Sequence, residues 1–148
     1  MTITAILRAH RIVDGHLAAH QVAASSPTEQ ARWARRRMLN DYAYFMLIFG
    51  QFEDRVNRRC EALIRKKRQA PTWKQQRLWD TTETDRLGFM RRVALLTQIG
   101  QTDYNRIRDW YNDIRCPIAH GDTASVGPIV LPVLAAELAT IMKRLART

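Results

Sequence analysis

Glycine and proline are scarce in this chain, six and five among 148 residues, and there is no low-complexity tract or internal repeat. No linker is therefore expected, and the length fits one domain, residues 1–148, with room for a core. Cysteine occurs only at Cys60 and Cys116, a spacing that fits neither a metal site nor a disulfide framework. A reducing cytoplasm is the expected home. Long apolar runs are also missing. The most apolar stretch, Tyr42 to Phe49, falls far short of the roughly 20 residues a membrane span needs. It reads instead as a helix segment buried on all sides, with no membrane partner expected. Sustained period-two alternation is absent, which argues against strands.

Acidic residues are few beside the basic ones. Fourteen Asp and Glu face 24 Lys and Arg, for a net charge of +10, and only Lys66, Lys67, Lys74 and Lys143 are lysines. Arginine pairs bidentately with phosphate and is less strongly hydrated than lysine. An arginine-heavy basic domain points to a polyanion, most often nucleic acid. Solvated helix faces are the competing explanation.

What is present is helical periodicity, almost throughout. The spacing predicts a first helix over residues 3–23. The acid-poor, mildly amphipathic first 25 residues would also suit a transit peptide, but a helical extension is preferred. Ser26-Pro-Thr-Glu29 is a strong start signal: a capping serine, a proline for the first turn and a glutamate that completes a capping box. The helix it opens is predicted to run to about Arg68, bending near Asn40 or Gly50. Its stripe is Phe45, Ile48, Phe49, Phe52, Val56, Cys60 and Leu63. Its end, Arg65-Lys-Lys-Arg68, sets cations at the negative pole of the helix. Ala70-Pro71 stops it. A short piece lies around residues 73–79. A further helix, with Leu87, Met90, Val93, Leu96 and Ile99, is expected from near Thr82 to Gly100. Thr102 then caps a helix with Ile107, Trp110, Tyr111, Ile114 and Ile118 on its buried side, ending at His120-Gly121. A last helix starts near Leu131, with Leu134, Leu138, Ile141 and Leu145 as its seam. The sum is an all-α fold, a bundle of four or five helices with the longest as its spine.

The chemistry concentrates at residues 110–122, Trp-Tyr-Asn-Asp-Ile-Arg-Cys-Pro-Ile-Ala-His-Gly-Asp. Arg115 can hold a phosphate and His120 can move a proton, which suffices to cleave RNA without a metal. With Ile114 at the centre of the buried face, Arg108, Asn112, Arg115, Cys116 and His120 fall on the opposite half. In an ideal helix Arg115 and His120 diverge by about 140°, with Asn112 near the middle of that arc. Pro117 cannot donate to the carbonyl of Asp113, so a kink or loosened turn is expected to bring the pair together. Free carbonyls at the helix end favour a protonated histidine. The bare spacing is weak: chance supplies an Arg/His pair about once or twice in such a chain. It occurs twice, and Arg11/His16 is read as the coincidence because Gly15 interrupts it within a weak helix. A salt-bridged surface arginine and a C-capping histidine are the plainer alternative for Arg115 and His120. His16 and His20 share a metal-like spacing, but no third ligand is evident. Neither a metal nor a cofactor is expected.

Ile114-Arg-Cys-Pro-Ile-Ala-His-Gly121 resembles the arginine-to-histidine signature of the HEPN superfamily, small helical proteins that include many metal-independent ribonucleases. The long helix, Tyr42 through Ile64 with Phe52-Glu53, is similar to that family's opening helices. The likeness covers roughly residues 30–147. It implies a homodimeric four- or five-helix bundle in which two motif helices form one cleft. Arg115 would bind and polarise the scissile phosphate, and His120 would exchange a proton with the 2′-hydroxyl or the leaving 5′-oxygen. The products would be a 2′,3′-cyclic phosphate and a 5′-hydroxyl. Glu53 would orient Arg115, although a solvated carboxylate is an equal alternative; Asn112 is a similar candidate. Arg108, the run Arg65, Lys66, Lys67 and Arg68, and arginines 35 to 37 are candidate RNA-backbone contacts. Two departures stand out. Active members often carry Asn, Asp or His after the arginine, where this chain has Cys116, a weak donor, and then Pro117. Gly121-Asp122 replaces the tyrosine that one branch carries after the histidine. The leading expectation is an endoribonuclease, a toxin or phage-defence effector, with RNA as substrate and a cognate antitoxin such as a nucleotidyltransferase as partner. The second is a non-catalytic HEPN module that binds RNA or a partner protein, favoured by Cys116-Pro117. A basic DNA-binding protein ranks last, for want of helix-turn-helix spacing.

Overall fold

The computed structural model describes residues 2–83 and 86–146, and among these every regular element is helical. The elements are α1 (Ile3–Ala23), α2 (Pro27–Arg68), α3 (Trp73–Asp80), α4 (Phe89–Leu95), α5 (Gln101–Trp110), a π-helical turn (Tyr111–Arg115), α6 (Cys116–Ala119) and α7 (Leu131–Ala146). Because α5, the π turn and α6 follow one another without a break, they make one rod, and the described chain has six rods rather than four or five. The extra rod is the short α3, expected only as a short piece.

Local chemistry accounts for the boundaries. Thr2 Oγ1 accepts from the Ala5 amide and opens α1. Ser26 Oγ accepts from the Glu29 amide at 3.2 Å with Pro27 in the first turn, as the capping signal predicts. The reciprocal half of the box is displaced by one residue: Glu29 Oε2 accepts from the Ser25 amide and hydroxyl rather than from Ser26. The 42 residues of α2 continue helically through Asn40 and Gly50 and extend about 63 Å.

Two expected starts are wrong. The helix expected over residues 82–100 is only Phe89–Leu95, because Gly88 and Leu96 both adopt extended backbone and turn the chain on either side of it. The motif rod is capped by Gly100, with Thr102 already inside the helix.

The stripe on α2 becomes the core. Phe45, Ile48, Phe49, Phe52, Val56 and Cys60 are fully buried, and Ile64 rather than Leu63 continues the line. Each large apolar side chain so buried contributes about 1.5–3 kcal/mol. One hydrophobic cluster joins this stripe to Ile6 of α1, Val93 of α4, Ile107 and Trp110 of α5, and Leu131, Leu134, Leu138, Ile141 and Leu145 of α7. Tyr42 is buried with its hydroxyl donating to the Val126 (2.5 Å) and Gly127 (3.1 Å) carbonyls, which fastens the 120–130 loop to α2. No helix among the described residues is long and apolar enough to cross a membrane.

Candidate Arg115–His120 site

The feature that shapes this site is the π turn. Pro117 has no N–H to give, and in an α-helix its ring would press on the carbonyl of Asp113. The chain widens instead, and the Cys116 amide bonds back to the Tyr111 carbonyl, five residues away. The widened turn shifts the helix phase, and this overturns one expectation. Arg115 does not stand on the solvent half. Its side chain is 28% exposed, and Nε lies 3.0 Å from Oε1 of Glu53 on α2, whose side chain is 22% exposed. The N–H does not aim at that oxygen, so the contact is an ion pair rather than an aligned hydrogen bond. Ile114, expected at the centre of the buried face, is only half-buried.

The guanidinium also lies over Tyr111, 5.4 Å from its ring centroid. Tyr111 in turn stacks on Phe89 at 5.0 Å. A chain of packed rings thus runs from the core to the arginine. Partial burial works against the Arg115 charge, but the Glu53 carboxylate more than offsets it and holds the guanidinium above its ordinary range. Burial, the adjacent Cys116 thiol and the Glu53 charge push the Tyr111 phenol up, against the pull of Arg115.

Five residues on, the helix ends as predicted at His120. Gly121 takes φ +78°, its amide donates to Ile118 O (3.1 Å), and the Asp122 amide donates to Pro117 O (2.9 Å), completing a Schellman motif. His120 is the exposed C-cap residue, and its ring makes no hydrogen bond or ion pair with a described residue. The loop beyond is pinned by Arg35, which donates to Thr123 Oγ1 at 3.0 Å, and by Tyr42. The site therefore offers a cation fixed from behind and an imidazole open to solvent on a fixed helix end.

The other candidates divide. Asn112 is exposed, and Cys116 is half-buried beside Tyr111. Arg108 leans on Asp109 in solvent. Arg65, Lys66 and Lys67 are exposed at the end of α2. Arg68 is committed to structure: it donates to Trp79 O (3.0 Å) and Thr82 O (2.7 Å). Of arginines 35 to 37, Arg35 holds Thr123, Arg36 lies over Trp33 at 4.3 Å, and Arg37 grips Asp14 through both carboxylate oxygens. His16 is exposed, and His20 stacks on Trp33 at 4.6 Å. No group of three His, Cys, Asp or Glu among the described residues could hold a metal ion.

Sequence reasoning missed one polar pair. His10 is buried and its Nε2 lies 2.6 Å from Asp41 Oδ1, between α1 and α2. The signal was there: His10 follows Ile6 by four residues, and Asp41 precedes Phe45 by four, so both sit on core-facing stripes. The chain matches no protein-family model, no curated protein and no solved structure.

Proposed function

We propose that this chain is a metal-independent endoribonuclease of the HEPN type, acting as a toxin or phage-defence effector, with Arg115 and His120 as its catalytic pair. The observation that carries the reading is the ion pair between Glu53 of α2 and Arg115, which stands on the helical rod that ends in an exposed His120. Arg115 offers its remaining donors to a phosphate oxygen, where charge stabilisation has most effect. His120 takes the proton of the 2′-hydroxyl as that oxygen attacks phosphorus, or returns a proton to the leaving 5′-oxygen. The bond to the 5′-oxygen breaks, and a 2′,3′-cyclic phosphate and a 5′-hydroxyl remain. Glu53 and Tyr111 are positioning residues that keep the guanidinium in place.

In this reading two chains pair beside the motif rod. A groove of about 410 Å³ between α5, the π turn and α7 supports that: Val130 and Val133, 67% and 55% exposed, stand beside half-buried Ile114 there. A cognate antitoxin would bind the same homodimer.

A non-catalytic HEPN module is the second reading. It is favoured by Cys116 at the position after the arginine, where a stronger hydrogen-bonding group would assist. One experiment separates the two: total cellular RNA incubated with purified protein in EDTA, wild type beside His120→Ala. Cleavage by wild type alone, leaving cyclic-phosphate ends, is expected. An intact helical protein that binds RNA and leaves it whole would overturn the nuclease.

A further inference from the structure

The side of α2 turned away from the core is charged towards both ends and bare of charge in the middle. Arg36, Leu39, Ala43, Leu47, Gly50 and Asp54 fall within an arc of about 80° on that helix, opposite the stripe of Phe45, Phe49, Phe52 and Val56. Leu39 and Leu47 keep 41% and 47% of their surface in solvent, and Ala43 is exposed. A side chain at Gly50 would meet no atom within 4 Å. Residues 42–52 carry no charge, in a chain whose net charge is +10. An exposed helix face ordinarily carries charged or polar residues, as α2 itself does at Arg32, Arg58 and Glu61. The bare ridge is the exception.

We propose that two copies of this chain meet along this ridge, α2 against α2 and antiparallel. The order of the residues makes the ridge complementary to itself. With the two-fold axis level with residue 45, Arg36 of one copy stands opposite Asp54 of the other, Leu39 opposite the open space at Gly50, and Ala43 opposite Leu47. Each pairing occurs twice, as an isologous contact requires. Both charges have capacity to spare. Arg36 rests on Trp33 and has no acidic partner among the described residues. Asp54 meets Arg58 through Oδ2, which leaves Oδ1 for a second guanidinium. A parallel pairing would set Arg36 against Arg36 and Asp54 against Asp54, which repel. A nucleic-acid strand finds no cation on the ridge between Arg36 and Asp54. A lipid surface would need a broader apolar face than one row of side chains. A single helix pair buries less than the roughly 1,600 Å² of a standard interface, so the association is weak and calls for concentrated protein. The contact needs neither the chemistry of Arg115 and His120 nor the groove beside α7.

The test is sedimentation velocity of the full-length protein over a dilution series. Leu47→Glu should halve the mass of the wild-type assembly at unchanged helix content by circular dichroism. Dimers would become monomers, or tetramers would become dimers if the copies also pair beside the motif rod. Arg36→Glu and Asp54→Arg, each alone, should weaken self-association about tenfold, because each sets like charges together at both ends of the contact. Combined, they rebuild the two pairs in reverse and should return the affinity to within about twofold of wild type. This charge exchange decides alone if Leu47→Glu loses helix content. A monomeric wild type, a mass unchanged by a folded Leu47→Glu, or a double variant no tighter than either single one would overturn the antiparallel contact. So would a Leu47→Glu effect seen only as lost binding to phosphatidylglycerol vesicles, which would assign the ridge to a membrane surface. If the mass changes stand while EDTA-resistant cleavage fails, the nuclease reading alone is lost.

Discussion

Arg11 and His16 have the same spacing as Arg115 and His120, yet the two pairs occupy different worlds. The first pair stands on an unbroken α-helix, and both side chains are exposed. Between them Asp14 is turned to a different task, gripped by Arg37 of α2. The second pair spans a π turn, which draws Arg115 towards Glu53 while the helix end leaves His120 in solvent. Identical spacing thus gives two solvated side chains in one place and an anchored cation beside a free imidazole in the other. Support by neighbours, rather than spacing, separates a candidate site from a coincidence.

The sharpest way to break that contrast is to remove each histidine in turn. His120→Ala should reduce RNA cleavage about 10²- to 10⁴-fold, the usual worth of acid–base help, whereas His16→Ala should leave initial rates within about twofold. Equal losses from both would end the distinction. A smaller effect is expected from the anchor. Glu53→Gln keeps the shape but removes the charge that holds Arg115. Cleavage should fall about tenfold, and urea unfolding should show a loss of about 1–2 kcal/mol, between the worth of exposed and buried pairs. The matching change beside the first pair, Asp14→Asn, should leave cleavage unaltered.

Pro117→Ala probes the turn itself. It returns an N–H to the backbone and lets the α-helical bond to Asp113 re-form, swinging Arg115 away from Glu53. A few-fold loss of cleavage is expected; unchanged cleavage would show that the widened turn is dispensable.

The smallest effects lie in pH. The guanidinium of Arg37 holds the Asp14 carboxyl below its ordinary range, so this contact stabilises the fold above about pH 4 and is lost as pH falls further. Burial raises the Tyr111 phenol, so its contribution is complete below about pH 10 and is lost as pH rises through the higher folded value. The melting temperature should therefore drop at both ends. Asp14→Asn should flatten the acid limb. Tyr111→Phe should flatten the alkaline limb only in part, because burial also raises Tyr42 and Cys60.

Local chemistry made most of the fold legible. The capping serine and proline at residues 26 and 27, the stripe from Phe45 to Cys60 and the seam of α7 all depend on neighbours within a few residues, and the structure agrees with them. Helix α4 was overextended because Leu87 and Ile99 keep helical spacing across turns that only the backbone at Gly88 and Leu96 reveals. The site was legible in its residues but not in its orientation. Projection at 100° per residue assumes an α-helix throughout, so it assigned Arg115 to solvent; a single widened turn undoes that sum for every later side chain. The proline that disturbs the turn was visible, but the side to which Arg115 turns is set by its contact with Glu53, 62 positions before it, and no local rule supplies that.

Gly121 carries a consequence of another kind. A side chain there would meet no atom within 4 Å, so only the left-handed backbone excludes other residues. Its presence after His120 records the handedness of a chain reversal, not a contribution to proton transfer. A histidine followed by glycine will recur wherever a helix stops in this way, in catalysts and in bystanders alike. In this motif the glycine is punctuation, and the meaning has to be sought in Arg115, Glu53 and His120.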